Sequence, residues 1–509
     1  MSFSTSGSFP ASLVPSQSRM ALRENFLSFD DATGGNFAQQ YLPELYEAEV
    51  ERYGNRTLGG FLRMVGAEMP MTSDQVIWSE QNRLHIAYQT ATAADAGGAN
   101  ATANATLTIN LTGTGTTSGA VRVGQTVLFT DNATGLVSGK GLVQAVGNSG
   151  GAGLTNDVLS IAVYGVAQAG TPMADLGING ASVNLFVYGS DFGKGTVGMA
   201  GSIEPSFTQY QNSPIIIKDN FQINGSDAAQ IGWVEVATED GQSGFLWYLK
   251  AESETRLRFE DYLEMAMIEG EFMSAAGVAV NASTIPFNDG AAIAPNGQVV
   301  KGTEGLFAAI EARGNVYSGF AGAAAPGSGA LGDFDEILKN LDKQGAIEEN
   351  MLFLSRATAL DFDDMIAAVN GGFASTQAAS YGLFDNDGDM ALNFGFSGFR
   401  RGSYDFYKTD WKYLNDASTR GLSKEIDGVM VPAGTTTVYD QMLGSNIRRP
   451  FLHIRYRASE TEDRRMKSWI TGSVGGAYTD TLDAMTVSFL SERCLVTQAA
   501  NNFVLFKGA

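Results

Sequence analysis

The sequence predicts an α+β protein in which a small all-β domain is inserted into a larger domain. Three observations carry this prediction. Ser243–Met273 has helical periodicity and no proline. Ala91–Gly201 is rich in Gly, Ala, Thr and Asn and contains short β-like runs. Beyond these, apolar and polar residues alternate near the C-terminus, as in Phe451–Arg457, which is typical of strands.

The helical stretch Ser243–Met273 is the element around which the rest of the chain is organised. Its roughly 31 residues would form a rod of about 45 Å, more than twice the usual helix length. Glu252 with Arg256 and Glu254 with Arg258 are i,i+4 pairs in the favourable order. We interpret the helix as a strut across a wide, thin subunit; the alternative is one long surface helix of an ordinary enzyme.

Chain length, net charge and cysteine count exclude several classes of function. The 509 residues are enough for two to four domains, and the net charge of −22 argues against nucleic-acid binding as the main role. Cys494 is the only cysteine, so no disulfide framework exists, and its apolar surroundings predict a buried thiol. We expect no signal peptide, because the first residues lack a cationic start and an apolar core, and no transmembrane helix.

The charge is unevenly distributed. Gly398–Ala509 holds 15 Lys and Arg against 12 Asp and Glu, whereas the rest of the chain holds 18 against 43. Ordinary variation of surface charge would also explain this difference. The C-terminal part contains a basic cluster, namely Arg448, Arg449, Arg455, Arg457, Arg464, Arg465 and Lys467. Because acids interrupt it, we interpret the cluster, together with Glu252 and Glu254, as a surface for ion pairs between copies; a nucleic-acid stripe is the alternative.

The N-terminal part predicts an arm followed by a long hairpin. Residues 1–54 are interpreted as an extended arm, or alternatively a flexible tail, that ends in a short helix over Phe37–Tyr53. Gln75–Gln89 reads as extended chain, and we expect it to pair with Ser206–Gln211 and Ile215–Asn224. The inserted domain would lie in or near this hairpin. Five strands of a small barrel or sandwich are predicted within it, over Thr106–Leu111, Val121–Phe129, Gly141–Val146, Val158–Tyr164 and Ser182–Tyr188.

After the long helix the pattern is α/β and then β. Helices are predicted over Thr303–Arg313, over Asp333–Leu341 and from the Ser355 cap to about Asn370. Strands are predicted over Met351–Leu354, Leu392–Phe396, Gly428–Pro432, Phe451–Arg457, Met485–Leu490 and Cys494–Gln498. The domain boundaries that follow are 1–54, 55–90 with 202–236, 91–201, 237–313, 314–423 and 424–509.

No motif for catalysis has its required context. Gly327–Gly332 matches a dinucleotide pattern, but no strand precedes it and acids crowd the following helix. Gly147–Gly151 matches a nucleophile-elbow string without a nearby histidine. His85 and His453 both read as strand residues, His453 on a polar face. Asp385, Asp387 and Asp389 alternate like calcium ligands, yet the sequence lacks the other loop residues, so an Asx-rich turn is favoured. We therefore predict no enzyme and no cofactor.

The order of these elements resembles the major capsid proteins of tailed bacteriophages, which have the Hong Kong 97-type fold. Leu58–Tyr88 with Ser206–Asn224 would be the extended loop, and Ser243–Met273 would be the spine helix. Phe451–Arg457 and Met485–Phe506 would be strands of the peripheral domain, and Gly314–Ser423 would be the axial domain. The insertion resembles that of large T-even-like capsid proteins.

The resemblance implies a structural function. Copies would form hexamers and pentamers of an icosahedral head that encloses double-stranded DNA without reading its sequence. The protein would be made in the host cytoplasm and end in the virion, with portal, scaffold and decoration proteins as partners. We expect a separate scaffold and no large cleaved N-terminal segment. The alternative is another self-assembling protein, such as a surface-layer or tail component with a carbohydrate-binding β-module.

Overall fold

The computed structural model describes part of the chain. The described residues are 68–81, 84–95, 106–111, 119–132, 134–148, 157–165, 182–203, 207–226, 235–237, 243–272, 292–293, 299–318, 330–345, 347–371, 397–416, 418–423, 425–440, 445–474 and 479–508. Outside them lie the predicted N-terminal arm and helix, the Leu392–Phe396 strand and the aspartates Asp385, Asp387 and Asp389. The chain is a mixed α+β protein with many strands and few helices.

The described strands and helices follow the chain in a simple order. The strands are β1 (Glu68–Met71), β2 (Val76–Gln81), β3 (Ala87–Asp95), β4 (Thr106–Asn110), β5 (Gln125–Asp131), β6 (Val137–Gly147), β7 (Val158–Val163), β8 (Ser182–Ser190), β9 (Phe207–Asn212), β10 (Ile215–Asn224), β11 (Glu235–Ala237), β12 (Ser243–Phe245), β13 (Ala292–Ile293), β14 (Val299–Val300), β15 (Asn315–Ser318), β16 (Glu349–Leu354), β17 (Ser397–Arg401), β18 (Tyr404–Asp410), β19 (Ile426–Pro432), β20 (Thr435–Asp440), β21 (Ser445–Pro450), β22 (Leu452–Arg457), β23 (Lys467–Gly472), β24 (Ala484–Thr497) and β25 (Val504–Lys507). The helices are α1 (Leu246–Glu269), α2 (Leu306–Arg313), α3 (Ala330–Asp342), α4 (Arg356–Gly371) and α5 (Lys412–Asn415).

The chain divides into two compact units. One unit consists of residues 1–78 and 209–509, and the other consists of residues 79–208. The division falls within β2 and β9, which pair with each other as a two-stranded ribbon. On the side of the larger unit, the rings of Trp78 and Tyr210 have centroids 6.1 Å apart, so the chain leaves this unit and re-enters it at neighbouring positions.

The smaller unit is a closed barrel with the strand order β3-β4-β7-β6-β5-β8. The sequence predicted five of these strands; the sixth is β3, whose first residues fell in the extended segment assigned to the hairpin. Its core is made by alternate residues of the strands, including Ile109, Phe129, Leu159 and Leu185, all nearly inaccessible to solvent. Closure leaves the barrel without edge strands, and the barrel has its own hydrophobic core.

The barrel is expected to be dispensable for folding of the larger unit. Replacing residues 79–208 with an Asn-Gly turn would join two strand ends that are already adjacent, because Trp78 and Tyr210 are in ring contact. The remaining chain should then keep its near-UV circular dichroism and a cooperative thermal transition. Loss of that transition in the shortened protein, while the full chain retains it, would refute the inserted-domain interpretation.

The larger unit contains a five-stranded sheet built from distant parts of the chain. Its strand order is β1-β22-β24-β10, and β23 also pairs with β24. β24 is buried along almost its whole length, and it is one strand where the sequence predicted two. β10 pairs antiparallel with β24 from Ile215 opposite Arg493 to Asn224 opposite Ala484. The predicted pairing of Ile215–Asn224 with Gln75–Gln89 was therefore wrong: β2 pairs with β9 alone, since the apolar alternation of β10 matches β24 equally well.

Helix α1 packs on one face of this sheet. Phe259 and Leu263 of the helix are buried against Phe221, Val487 and Phe489 of β10 and β24. The helix is 24 residues long and ends at Glu269, four residues before the predicted end. The reason is a close backbone approach, because the carbonyl of Gly270 accepts a 2.7 Å hydrogen bond from the amide of Gly305. That pairing turns the chain away from the helix axis.

A second sheet with six strands completes the larger unit. Its order is β15-β25-β19-β16-β18-β17. Helices α3 and α4 cover one face through Phe334 and Phe362, whose rings meet edge to face at 5.6 Å. The predicted Ser355 cap is present, since its hydroxyl accepts a 3.3 Å hydrogen bond from the amide of Thr358. Helix α2 and Trp411 belong to the core cluster on the other side, which is shared with β24.

Candidate functional site

Four of the six predicted interface arginines lie along the β1–β22–β24 part of the five-stranded sheet. Arg455 and Arg457 are on β22, whereas Arg464 and Arg465 follow a tight loop after that strand. The loop folds back, because the amide of Arg464 bonds to the carbonyl of Arg457 at 2.9 Å and the carbonyl of Arg464 accepts from the amide of Glu492 at 3.0 Å. Local backbone pairing therefore brings sequence-distant charges together.

Glu492 on β24 is the centre of this charge network. Only 6% of the residue is exposed. The Nε atoms of Arg457 and Arg464 each lie 2.8 Å from one of its carboxylate oxygens. A nearly buried carboxylate is stable in this place because two guanidinium groups neutralise it and the desolvation cost is offset.

A second group of ion pairs attaches strand β1 to the sheet. Glu68 of β1 forms an ion pair with Arg465 and lies 3.5 Å from Nη1 of the buried Arg493. Arg493 is itself fixed, since its guanidinium donates to the carbonyl of Arg465 at 2.8 Å and to the hydroxyl of Ser491 at 2.9 Å. Arg457 forms a further ion pair with Asp74, just beyond β1. Opposite charges thus hold the four-residue parallel strand β1 at the sheet edge.

The structure therefore gives the basic cluster a role within the chain. Arg457, Arg464 and Arg465 all bind acids of the same subunit, and Arg455 reaches the carbonyl of Pro70 at 3.5 Å. Arg465 nevertheless keeps 52% of its side chain exposed, and the neighbouring Glu462 keeps 45%. Both side chains are therefore largely accessible to solvent. Arg448 and Arg449 lie on β21, opposite Thr437 and Thr436 of β20.

Helix α1 carries both acidic candidates and the two arginines that sequence spacing paired with them. Glu252 and Glu254 are both only partly exposed on the helix. Arg256 forms its ion pair with Glu260 at 3.4 Å, and Arg258 forms one with Asp219 of β10 at 3.5 Å. The second pair joins the helix to the sheet, which sequence spacing alone does not reveal.

One of the two histidines, His453, is buried in strand β22. His453 is 1% exposed, and its Nδ1 lies 3.1 Å from the carbonyl oxygen of Pro450. It alternates along β22 with the partly exposed Arg455 and Arg457, so the face predicted to be polar is covered at this position. Among the described residues, no group of three His, Cys, Asp or Glu side chains is placed to hold a metal ion.

Sequence reasoning missed the acidic partners Glu68, Asp74 and Glu492. A usable signal was present: Glu492 and Arg493 interrupt the apolar run of β24, and charged residues in a central strand are buried only when they are paired. The sequence does not say which distant acids and bases complete the pairs, because β1 and β24 come together only when both pair with β22.

The predicted burial of Cys494 is confirmed, and it yields a labelling assay. Burial raises the pKa of this thiol to about 12. The intact protein should therefore react with iodoacetamide at pH 8 at least about tenfold more slowly than the urea-unfolded chain, because the thiolate is the nucleophile. The unfolded thiol ionises first as pH rises, so this group also lowers stability above about pH 9. Equal labelling rates in both states would contradict the assigned environment.

The chain was compared with known protein families, curated proteins and solved structures. In the described residues, no helix has the length and apolar composition needed to cross a membrane. The sequence matches no family model and no curated protein. Similar solved structures come from phages. A chain of Microbacterium phage Oxtober96 is 10% identical with a TM-score of 0.35, covering 93% of this chain and 96% of that chain.

Two further phage structures cover less of the sequence. A chain of Mycobacterium phage Bobi is 11% identical with a TM-score of 0.30, over 61% of this chain and 76% of that chain. A chain of Gordonia phage Cozz is 9% identical with a TM-score of 0.32, over 63% of this chain and 79% of that chain. These identities and TM-scores are too low to assign a function to this chain.

Proposed function

We propose that this chain is a phage structural protein, and specifically the major capsid protein of a tailed double-stranded DNA phage. In this proposal it has the Hong Kong 97-type fold and self-assembles into hexamers and pentamers of an icosahedral head. Its place is the virion, with portal, scaffold and decoration proteins as partners. The enclosed DNA is held without base-specific contacts, which agrees with the acidic composition of the chain.

One observation carries the proposal. A single sheet combines β1 and β10, which precede the long helix, with β22, β23 and β24 from the end of the chain, and α1 packs on that sheet. The resemblance implies a peripheral domain built from the C-terminal strands beside the spine helix, and the packing of α1 on β24 supports this; β1 and β10, which were predicted in the extended loop, join the same sheet. The ribbon of β2 and β9 leads into an inserted barrel. In this proposal the sheet covered by α3 and α4 is the axial domain, and it also takes β19 and β25 from the segment predicted as peripheral.

The shell function also agrees with the surface of the described residues. Large apolar side chains are exposed on several elements, such as Ile216, Leu422 and Trp469. A shell protein derives its stability from repeated interfaces with its neighbours. Exposed apolar and charged groups at separate positions suit several different contacts with copies of the same chain.

Electron microscopy tests the proposal. The purified full-length protein, alone and co-expressed with the proteins encoded beside its gene, should form rings, sheets or closed shells in negative stain. Arg465→Glu places a like charge beside Glu68 at an exposed position, so it should reduce assembly and also loosen strand β1 within the subunit. A protein that remains monomeric under all these conditions, or that forms only helical tubes, would reject the capsid assignment.

A second candidate function rests on the barrel. Tyr164, Phe186 and Tyr188 expose 42–48% of their surface on it, and Lys140 lies 5.9 Å from the Tyr188 ring centroid. Exposed aromatic rings are used as stacking platforms, so a surface-layer or tail protein with a carbohydrate-binding module is the alternative. Glycan-array binding that is lost in Tyr188→Ala, by a protein that never forms shells, would favour it.

A further inference from the structure

The two-stranded ribbon is fixed where it joins the larger unit. We call residues Val76–Trp78 with Gln209–Asn212 the ribbon root. An isolated pair of strands is only marginally stable in water, so contacts outside the pair must hold the root in place. Those contacts come from the segment that starts at Thr303 and continues through helix α2.

Arg313, at the end of α2, contacts the two aromatic rings of the ribbon root, those of Trp78 and Tyr210. The guanidinium carbon lies 4.5 Å from the ring centroid of Tyr210 and 5.9 Å from that of Trp78. A planar cation against the faces of two rings is attractive, and more so when water is excluded. Only 11% of the Arg313 side chain is exposed, so this contact is largely dry.

Glu304 fixes the orientation of that guanidinium. The Nη1 and Nη2 atoms of Arg313 donate to the two carboxylate oxygens of Glu304 at 3.2 and 2.9 Å. Burial raises the pKa of Glu304, while the charge of Arg313 opposes that rise. The two-pronged pair leaves one flat face of the guanidinium for Tyr210 and keeps it from rotating.

Asn212 anchors the same root by a separate set of bonds. Its Nδ2 donates to the carbonyl of Leu495 at 2.6 Å and to that of Glu304 at 2.9 Å. Its Oδ1 accepts from the hydroxyl of Thr303 and the amide of Glu304, both at 3.0 Å. This buried amide ties the end of β9 to the body of the unit independently of the aromatic rings.

We propose that the ribbon root is a pinned hinge, in which Asn212 is the fixed pivot and Arg313 is the pin that sets the direction of the ribbon. Asn212 bonds the last residue of β9 to backbone that belongs to the core. Arg313 instead contacts the ring faces of one residue on each strand. Removing Arg313 therefore takes away a contact that Trp78 and Tyr210 share while the pivot stays bonded, so the ribbon loosens without unfolding of the sheet below it.

The same device gives a way to transmit strain. A displacement of α2 moves Arg313 and thereby the direction of both ribbon strands, because each presents its ring to the same guanidinium. Arg313 is thus a positioning residue with no chemistry of its own. This role is independent of whether the chain builds a shell, since it requires only the contacts within one subunit.

Hydrogen–deuterium exchange of the full-length protein tests the hinge. Arg313→Met keeps most of the side-chain volume but removes the charge and its hydrogen bonds, and it is combined with Glu304→Gln so that no uncompensated carboxylate is left buried. We expect exchange of the ribbon-root amides to accelerate about tenfold or more, while the amides of β19 and β24 keep their rates. Arg356→Met is the matched control, because Arg356 is 59% exposed and pairs with Asp410 elsewhere on the same unit; it should leave the root unchanged.

Two conservative variants separate positioning from general stability. Arg313→Lys keeps the ion pair with Glu304 but has no planar group, so it should accelerate root exchange by an intermediate factor. Asn212→Ala removes the pivot and should accelerate exchange in β24 as well. The hinge is overturned if Arg313→Met combined with Glu304→Gln leaves the root rates unchanged, or if it accelerates β19 and β24 as much as the root.

Discussion

Glu492→Gln is expected to weaken the larger unit by about 2 kcal/mol. The substitution keeps the side-chain shape but removes the charge that neutralises Arg457 and Arg464 within a nearly buried network. Breaking a fully buried pair typically costs about 3–5 kcal/mol. We expect a smaller loss, about 2 kcal/mol, because each arginine side chain is about a quarter exposed. Each arginine also reaches a second acid, Asp74 for Arg457 and Glu462 for Arg464.

Cys494 provides the measurement, since it lies two residues from Glu492 on the same strand and is the only cysteine. If thiol labelling requires opening of β24, a loss of about 2 kcal/mol should accelerate labelling by about 30-fold. Glu462→Gln is the control: Glu462 is 45% exposed, and surface ion pairs contribute less than about 1 kcal/mol. Equal effects of the two substitutions would show that Glu492 is not the centre of the network.

Gly472→Ala is expected to destabilise the same sheet by about 3 kcal/mol. Gly472 ends β23 with φ of +136°, a conformation that side-chain-bearing residues rarely adopt. A Cβ atom there would lie 2.0 Å from the carbonyl oxygen of Ala484 and 3.1 Å from the Cα of Met485. Both obstacles are backbone of the central strand β24, so the sheet pairing itself has to shift, and strain of this kind costs about 1–3 kcal/mol before any lost hydrogen bond.

Substituting alanine for a glycine in open surroundings is expected to raise the stability of the protein. Gly332 lies in helix α3, and a Cβ atom added to it would have no other atom within 4 Å, so Gly332→Ala should stabilise by about 0.5–1 kcal/mol through helix propensity. Differential scanning calorimetry of both variants measures the two effects. A Gly472→Ala protein that melts at the temperature of the unmodified chain would mean that the strand end relaxes without loss of pairing.

Local periodicity was sufficient to predict several elements. The long helix was placed within four residues of both observed ends, since Ser243–Met273 contains α1. The Ser355 cap and the helix after it follow from local hydrogen bonding. The barrel strands other than β3 were placed by the alternation of apolar residues with turn residues between them. In each case the signal lies within about ten to thirty neighbouring residues.

The pairing of distant strands was not predictable in the same way. The alternation in Ile215–Asn224 is satisfied equally by a hairpin partner and by β24, and only the packed core selects β24. The acidic partners of the arginine cluster were ambiguous for the same reason, because Arg457 and Arg464 meet Glu492 only after β22 and β24 pair. The root contacts of Arg313 likewise unite residues from three separate segments.

The sequence by itself determined the α+β class, the position of the long helix, the all-β insertion and the buried single thiol. These features depend on side-chain periodicity, propensity and composition, which each segment carries locally. The tertiary structure decided which strands share a sheet, which acids neutralise the arginines, and how the ribbon is pinned. Those choices depend on shape and charge complementarity between segments far apart in the chain, so they have no local signature.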